Sequence, residues 1–221
     1  MDDDEVKPLP IDGQDYDLSK EYRGKYGFGV TYAPVVYPND ANVLGTDANT
    51  NDSHPNATYR DTLSPAQQRA YDKAMGEWRV EDGKKLESPG CRKDAELKAY
   101  GPEKPKAELA REQDAAKTKD RAAQQALDGD AQLVSLAQDF ASCLRSEGIA
   151  VTTTQPTSIG DMVKFQVNSQ GDNVDRGDKE TARAKLTQEI STALKDLECG
   201  KEFRAAYFPK LAKNPFVGVG G

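Results

Sequence analysis

The residues best equipped for chemistry are few. The chain has three cysteines, Cys91, Cys143 and Cys199, and a single histidine, His54. No two cysteines share a Cys-x-x-Cys spacing. A four-ligand zinc site would need all three cysteines and the histidine, drawn from scattered positions, which argues against structural zinc. A Ser-His-Asp or Cys-His site would have to use His54. That residue sits in Asp52-Ser53-His54-Pro55, a polar, turn-like stretch. Loop histidines outside a motif are mostly solvent residues. An odd cysteine count allows at most one internal pair plus a leftover thiol, in three connectivities: 91–143, 91–199 or 143–199. Three buried free thiols are the alternative.

Asp47-Ala48-Asn49-Thr50-Asn51-Asp52 has the alternating oxygens of a calcium loop. An EF-hand then wants Gly at its sixth position and Glu at its twelfth, where this chain has Asp52 and Thr58. An Asx-turn-rich loop is the plainer reading. A non-EF calcium site on Asp47, Asn49 and Asn51 is the one metal candidate. No Gly-rich phosphate loop follows a strand, and Gly27-Phe28-Gly29 lacks the third glycine and the helix of a dinucleotide fingerprint. No Gly-x-Ser-x-Gly occurs. The candidate site carries no catalytic residue.

The elements that must position these residues are mainly helices. Residues 1–60 hold five of the prolines, Pro8, Pro10, Pro34, Pro38 and Pro55, which deny helix and ladder hydrogen bonds. The expectation is an irregular, extended N-terminal arm. Its aromatics Tyr16, Tyr22, Tyr26, Phe28 and Tyr32 are the only candidate binding face. Pinning the arm onto a helical body is the more economical role for them.

Ser64-Pro65-Ala66-Gln67 is a capping box with proline at the first helical position. A short helix should follow Ser88-Pro89-Gly90 and carry Cys91. Residues 106–127 combine high helix propensity with a face that is nearly all alanine, which predicts a solvated helix or a poorly ordered segment. Asp130 caps a helix whose Leu133, Leu136, Ala137, Phe140, Cys143 and Leu144 form one stripe, directing Cys143 to the core. Thr157 or Ser158 caps a short helix through Val163 and Phe165. The last strong helix runs from about Asp178 to Glu198, with Leu186, Ile190, Ala193, Leu194 and Leu197 on its stripe and no row of inward acids. The Asp130 and Asp178 helices should pack antiparallel, and Pro209 should end or kink the segment after Gly200. The fold class is mostly α: an irregular helical bundle with an extended arm and at most one small strand element. The expected divisions are 1–60 (arm), 61–213 (disulfide-stabilised helical domain) and 214–221 (flexible tail).

Composition narrows the partners. The 221 residues include 30 Lys and Arg against 37 Asp and Glu, a net charge of -7, and only 36% are hydrophobic. An acidic chain without clustered cations argues against duplex nucleic acid and against anionic membranes. No apolar run reaches the length of a spanning helix. The acidic start, Met1-Asp2-Asp3-Asp4-Glu5, has no apolar h-region, so it is not a signal peptide.

Four spaced features carry a resemblance. They are Lys25-Tyr26-Gly27-Phe28-Gly29-Val30, Leu63-Ser64-Pro65-Ala66 with Ala70-Tyr71, Gly90-Cys91 with Tyr100-Gly101, and Cys143 and Cys199 late on successive helices. Their order over about residues 20 to 200 resembles a class of uncharacterised exported proteins and lipoproteins of actinobacteria. Leu144 stands where that class has Met, and the class's N-terminal cysteine helix has no counterpart in the sequence. The resemblance therefore implies a Cys143–Cys199 bridge with Cys91 as the orphan thiol. It also implies an extracellular or cell-surface location and brings no established activity. The expected function is a non-enzymatic exported binding or structural module of unknown ligand. Its partner would be a protein or cell-envelope component, met by a monomer without a cofactor. The alternatives are a cytosolic helical interaction protein with 106–127 as its contact arm, or an enzyme using dispersed carboxylates in a deep pocket.

Overall fold

A computed structural model describes residues 10–46, 59–76, 78–81, 84–87, 90–102, 104–171 and 178–216. The fold is mostly α. In chain order the elements are α1 (Tyr16–Tyr26), α2 (Ala33–Val36), α3 (Pro65–Met75), β1 (Trp78–Glu81), β2 (Lys84–Glu87), α4 (Cys91–Tyr100), α5 (Lys106–Asp128), α6 (Ala131–Ser146), α7 (Pro156–Gln170), α8 (Lys179–Cys199) and α9 (Lys201–Lys213). Among the described residues no helix is long and apolar enough to cross a membrane. Two compact units form, one from residues 1–50 with 116–221 and one from 51–115.

The first unit holds the core. Leu133, Ala137, Phe140, Ala141 and Leu144 of α6, Ile159, Met162 and Val163 of α7, Ala193 of α8 and Phe203 of α9 make its main cluster, joined by Phe28 and Leu127. A second cluster gathers Tyr22, Tyr26, Tyr32, Ala33 and Val43 around Leu186 of α8. Caps set the helix starts. The Asp130 carboxylate accepts from the N–H groups of Gln132 and Leu133, and Asp178 accepts from that of Thr181. Asp128, at the end of α5, accepts from the N–H and hydroxyl of Thr157 and so caps α7 from another helix.

Several sequence expectations are corrected here. The arm contains a regular helix: Asp15 accepts from the Leu18 N–H, and α1 then runs eleven residues. The prolines lie on either side of this stretch, so nothing within it interrupts the hydrogen bonds. The antiparallel partner of α6 is α9 rather than α8. Phe203 lies 5.9 Å from Phe140 near one end, and Lys210 pairs with Asp130 at 2.6 Å near the other. The ends of α6 and α8 that meet are both C-terminal. α7 extends to Gln170 with Phe165 half exposed, and of the two expectations for Pro209 the ending is excluded, since α9 runs on to Lys213. α5 forms over its full length with Leu127 as its one buried residue, giving the solvated alternative.

In the second unit, α3 begins at the expected capping box, where the Ser64 N–H donates to Gln67 Oε1 at 3.0 Å. Arg60 holds Asp72 with two hydrogen bonds of 2.8 and 2.7 Å. The strands β1 and β2 pair antiparallel, with Trp78 opposite Glu87.

Candidate functional site

The arm is joined to α8 by two polar contacts below the surface. Arg23 projects from α1 into the core at 1% exposure. Its Nη1 donates to Asp196 Oδ2 at 2.6 Å and to the Ala193 carbonyl at 2.9 Å, and Nη2 donates to the Ile11 carbonyl at 2.8 Å. Arg204 of α9 reaches the same Asp196 oxygen at 2.6 Å and also donates to the carbonyls of Asp196 and Gly160. Two guanidiniums therefore share one buried carboxylate. Burial works to lower the Arg23 pKa, and the Asp196 charge opposes it. Phe28 covers Arg23, with its ring 5.0 Å from the guanidinium carbon.

The second contact explains the Gly-Phe-Gly step. Gly27 and Gly29 both take positive φ, 64° and 78°. The turn aims the Phe28 N–H at Glu189 Oε1, 2.7 Å away. A Cβ at Gly27 would come within 2.7 Å of Glu189, so only glycine lets the carboxylate approach. Glu189 is 3% exposed, and its Oε2 has no hydrogen-bond partner among the described residues. Burial pushes its pKa up to about 7, against the backbone N–H groups of Phe28, Tyr32 and Gly29.

These four residues were missed in the sequence because 37 acids and 30 cations hide any single pair. A signal did exist. Glu189 and Asp196 fall at the same helical spacing as Leu186, Ala193 and Leu197, so α8 does turn acids inward, and an acid on an apolar stripe must find a partner.

Cys143 and Cys199 are bridged, with their Cα atoms 5.5 Å apart. Cys143 is half-buried rather than in the core. The two cysteines line a groove of about 340 Å³ with Tyr16, Lys20, Glu147, Leu194, Lys195 and Glu198. Its polar groups are already engaged with one another. The Tyr16 hydroxyl donates to Glu198, Lys195 pairs with Glu147 at 3.1 Å, and Lys201 sits 4.2 Å over the Tyr16 ring. Cys91 is a free, exposed thiol in the other unit.

The aromatic candidates separate. Tyr22, Tyr26, Phe28 and Tyr32 are 1–8% exposed and belong to the core, so these rings cannot stack on a ligand. They fasten the arm, and Tyr16 alone keeps an accessible face. Asp47, Asn49, Asn51 and His54 lie outside the described residues. Among the described residues no group of three or more His, Cys, Asp or Glu is placed to hold a metal ion. The raised carboxyl that a carboxylate enzyme would need exists in Glu189, but it faces a backbone turn, and it lines neither the disulfide groove nor the hollow beside α9.

No protein-family model matches the chain, and no curated protein or solved structure compared with it matches either.

Proposed function

We propose that the protein is a non-enzymatic module exported to the cell surface or cell envelope, where it binds or scaffolds another envelope component. The Cys143–Cys199 bridge carries this reading. Disulfides persist in oxidising compartments and are rare in a reducing cytosol. The resemblance to exported actinobacterial proteins points the same way. Arg23, Asp196 and Arg204 are hydrogen-bonded to one another and Glu189 to the Phe28 N–H, and these contacts tie the arm to α8 and α9, which supports a structural use for them. Of the arm's aromatic candidates Tyr16 alone keeps an accessible face, and with the groove beside the bridge it is the partner face that the reading selects. Fractionating the source cells tests it. The protein should be found in the envelope or medium fraction, and recovery with cytosolic markers overturns the proposal.

A further inference from the structure

We propose that residues 27–46 form a strap over α8 that opens as the pH rises, released when Glu189 ionises. This concerns the fold alone and does not rest on the export reading. The strap leaves α1 at its C-cap, Gly27. Its first turn fastens it: the Phe28 N–H donates to Glu189 Oε1 at 2.7 Å, and the Phe28 ring joins the main core cluster. Farther along, the Thr31 hydroxyl donates to Asn168 Oδ1 of α7 at 2.8 Å, and Tyr32, Ala33 and Val43 pack with Leu186 of α8. α1 is held separately, by Arg23 on Asp196. The strap can therefore lift as a unit smaller than the whole fold.

Glu189 is badly placed to carry a charge. It is buried beneath the turn, its Oε2 accepts no hydrogen bond, and no cation pairs with it among the described residues. A buried carboxylate with an unmet oxygen costs more ionised than protonated, and lifting the turn admits water to it. The neighbouring groups do not supply the missing charge. On α1, Arg23 is committed to Asp196, and the Tyr22 hydroxyl, pushed up to about 12 by burial, stays neutral. In the strap, the Tyr26 hydroxyl holds the Asp40 carboxyl well below the usual carboxylate range, which adds a negative charge, and α2 carries no titratable group. α7 offers the uncharged Asn168. α6 and α9 bring their charges to α8 nearer its C-terminus, Glu147 to Lys195 and Arg204 to Asp196. Lys185, one turn back on α8, is exposed. Only the N–H groups of Phe28, Tyr32 and Gly29 oppose the burial that raises the Glu189 pKa to about 7.

Hydrogen exchange of the full chain, corrected for the intrinsic pH dependence of amide exchange, is the test. The amides of Val36 and Tyr37, which bond to the Tyr32 and Ala33 carbonyls within the strap, report its opening. They should exchange faster than the amides of α6 and with a weaker urea dependence. Their opening should grow roughly 70-fold from pH 5 to pH 8, the factor that follows from a carboxyl pKa of 4.5 in the open state and about 7 in the closed one. The rise should follow the titration of the Glu189 carboxyl carbon in the NMR spectrum, a readout that needs no variant. Glu189→Gln should abolish it. Equal rates and urea dependence in the strap and α6 would show that the strap opens only with the whole fold. A rise displaced from the Glu189 titration, or one that survives Glu189→Gln, would assign the release to another group. Each of these results overturns the proposal, and none bears on the disulfide or the compartment.

Discussion

Arg23 and Asp196 are separated by 173 positions in the chain and by 2.6 Å in space, both almost wholly buried. Arg204 bonds to the same Asp196 oxygen. The arm, α8 and α9 thus converge on a single carboxylate, and removing different members should have unequal effects. Asp196→Ala leaves two guanidiniums buried without their counter-charge and should cost about 3–5 kcal/mol. Arg23→Met leaves Asp196 and Arg204 as a matched pair and should cost clearly less. Urea unfolding of the two variants measures the order, and equal losses would show that Asp196 is not the shared centre.

Glu189 makes the stability depend on pH. Its carboxyl pKa is about 7 in the folded chain and 4.5 ordinarily, so the folded state holds the proton more tightly. Its contribution is complete below about pH 4.5 and is lost as the pH rises through 7, by roughly 3 kcal/mol in all. Glu189→Gln should remove this slope. Thermal unfolding from pH 4 to 8 reads it, and an unchanged slope in the variant would place the titration on another group.

The two arm glycines should be far less tolerant than an ordinary positive-φ glycine. Gly148 has φ +75° and nothing within 4 Å of an added Cβ, so Gly148→Ala should cost only the backbone strain, about 1 kcal/mol. At Gly29 the added carbon would come within 2.1 Å of the Tyr22 hydroxyl, which donates to the Asn42 carbonyl. Gly29→Ala should therefore lose a further 1–3 kcal/mol, roughly. Chemical denaturation of both variants makes the comparison.

The bridge closes a sequence separation of 56 residues. The chain-entropy relation gives about 4 kcal/mol for a loop of that length. Replacing Cys143 and Cys199 together by alanine should lose about this amount. Cys91→Ser, at an exposed site, should stay within about 0.5 kcal/mol of the parent.

Much of this architecture is written in local patterns. The α6 stripe, its Asp130 cap and the Ser64 box predict their helices because each signal lies within a few residues of what it controls. α1 was hidden by flanking prolines, although Tyr22 and Tyr26 already show i, i+4 spacing. The β1–β2 pair was hidden because Trp78–Glu81 and Lys84–Glu87 carry charges where a strand signal needs an apolar face. The Arg23–Asp196–Arg204 and Phe28–Glu189 contacts were beyond local reading, since each joins segments far apart in sequence. The step Gly27-Phe28-Gly29 stood out by its composition, but its purpose depends on a carboxylate 161 positions away from Phe28.

The most direct measurement is the intact mass of native protein, never exposed to reductant, after alkylation under denaturing conditions. One added label, mapped to Cys91, is the predicted result and supports a bridged protein of an oxidising compartment. Three labels would mean that Cys143 and Cys199 are free thiols, and would contradict both the bridge and the exported reading built on it.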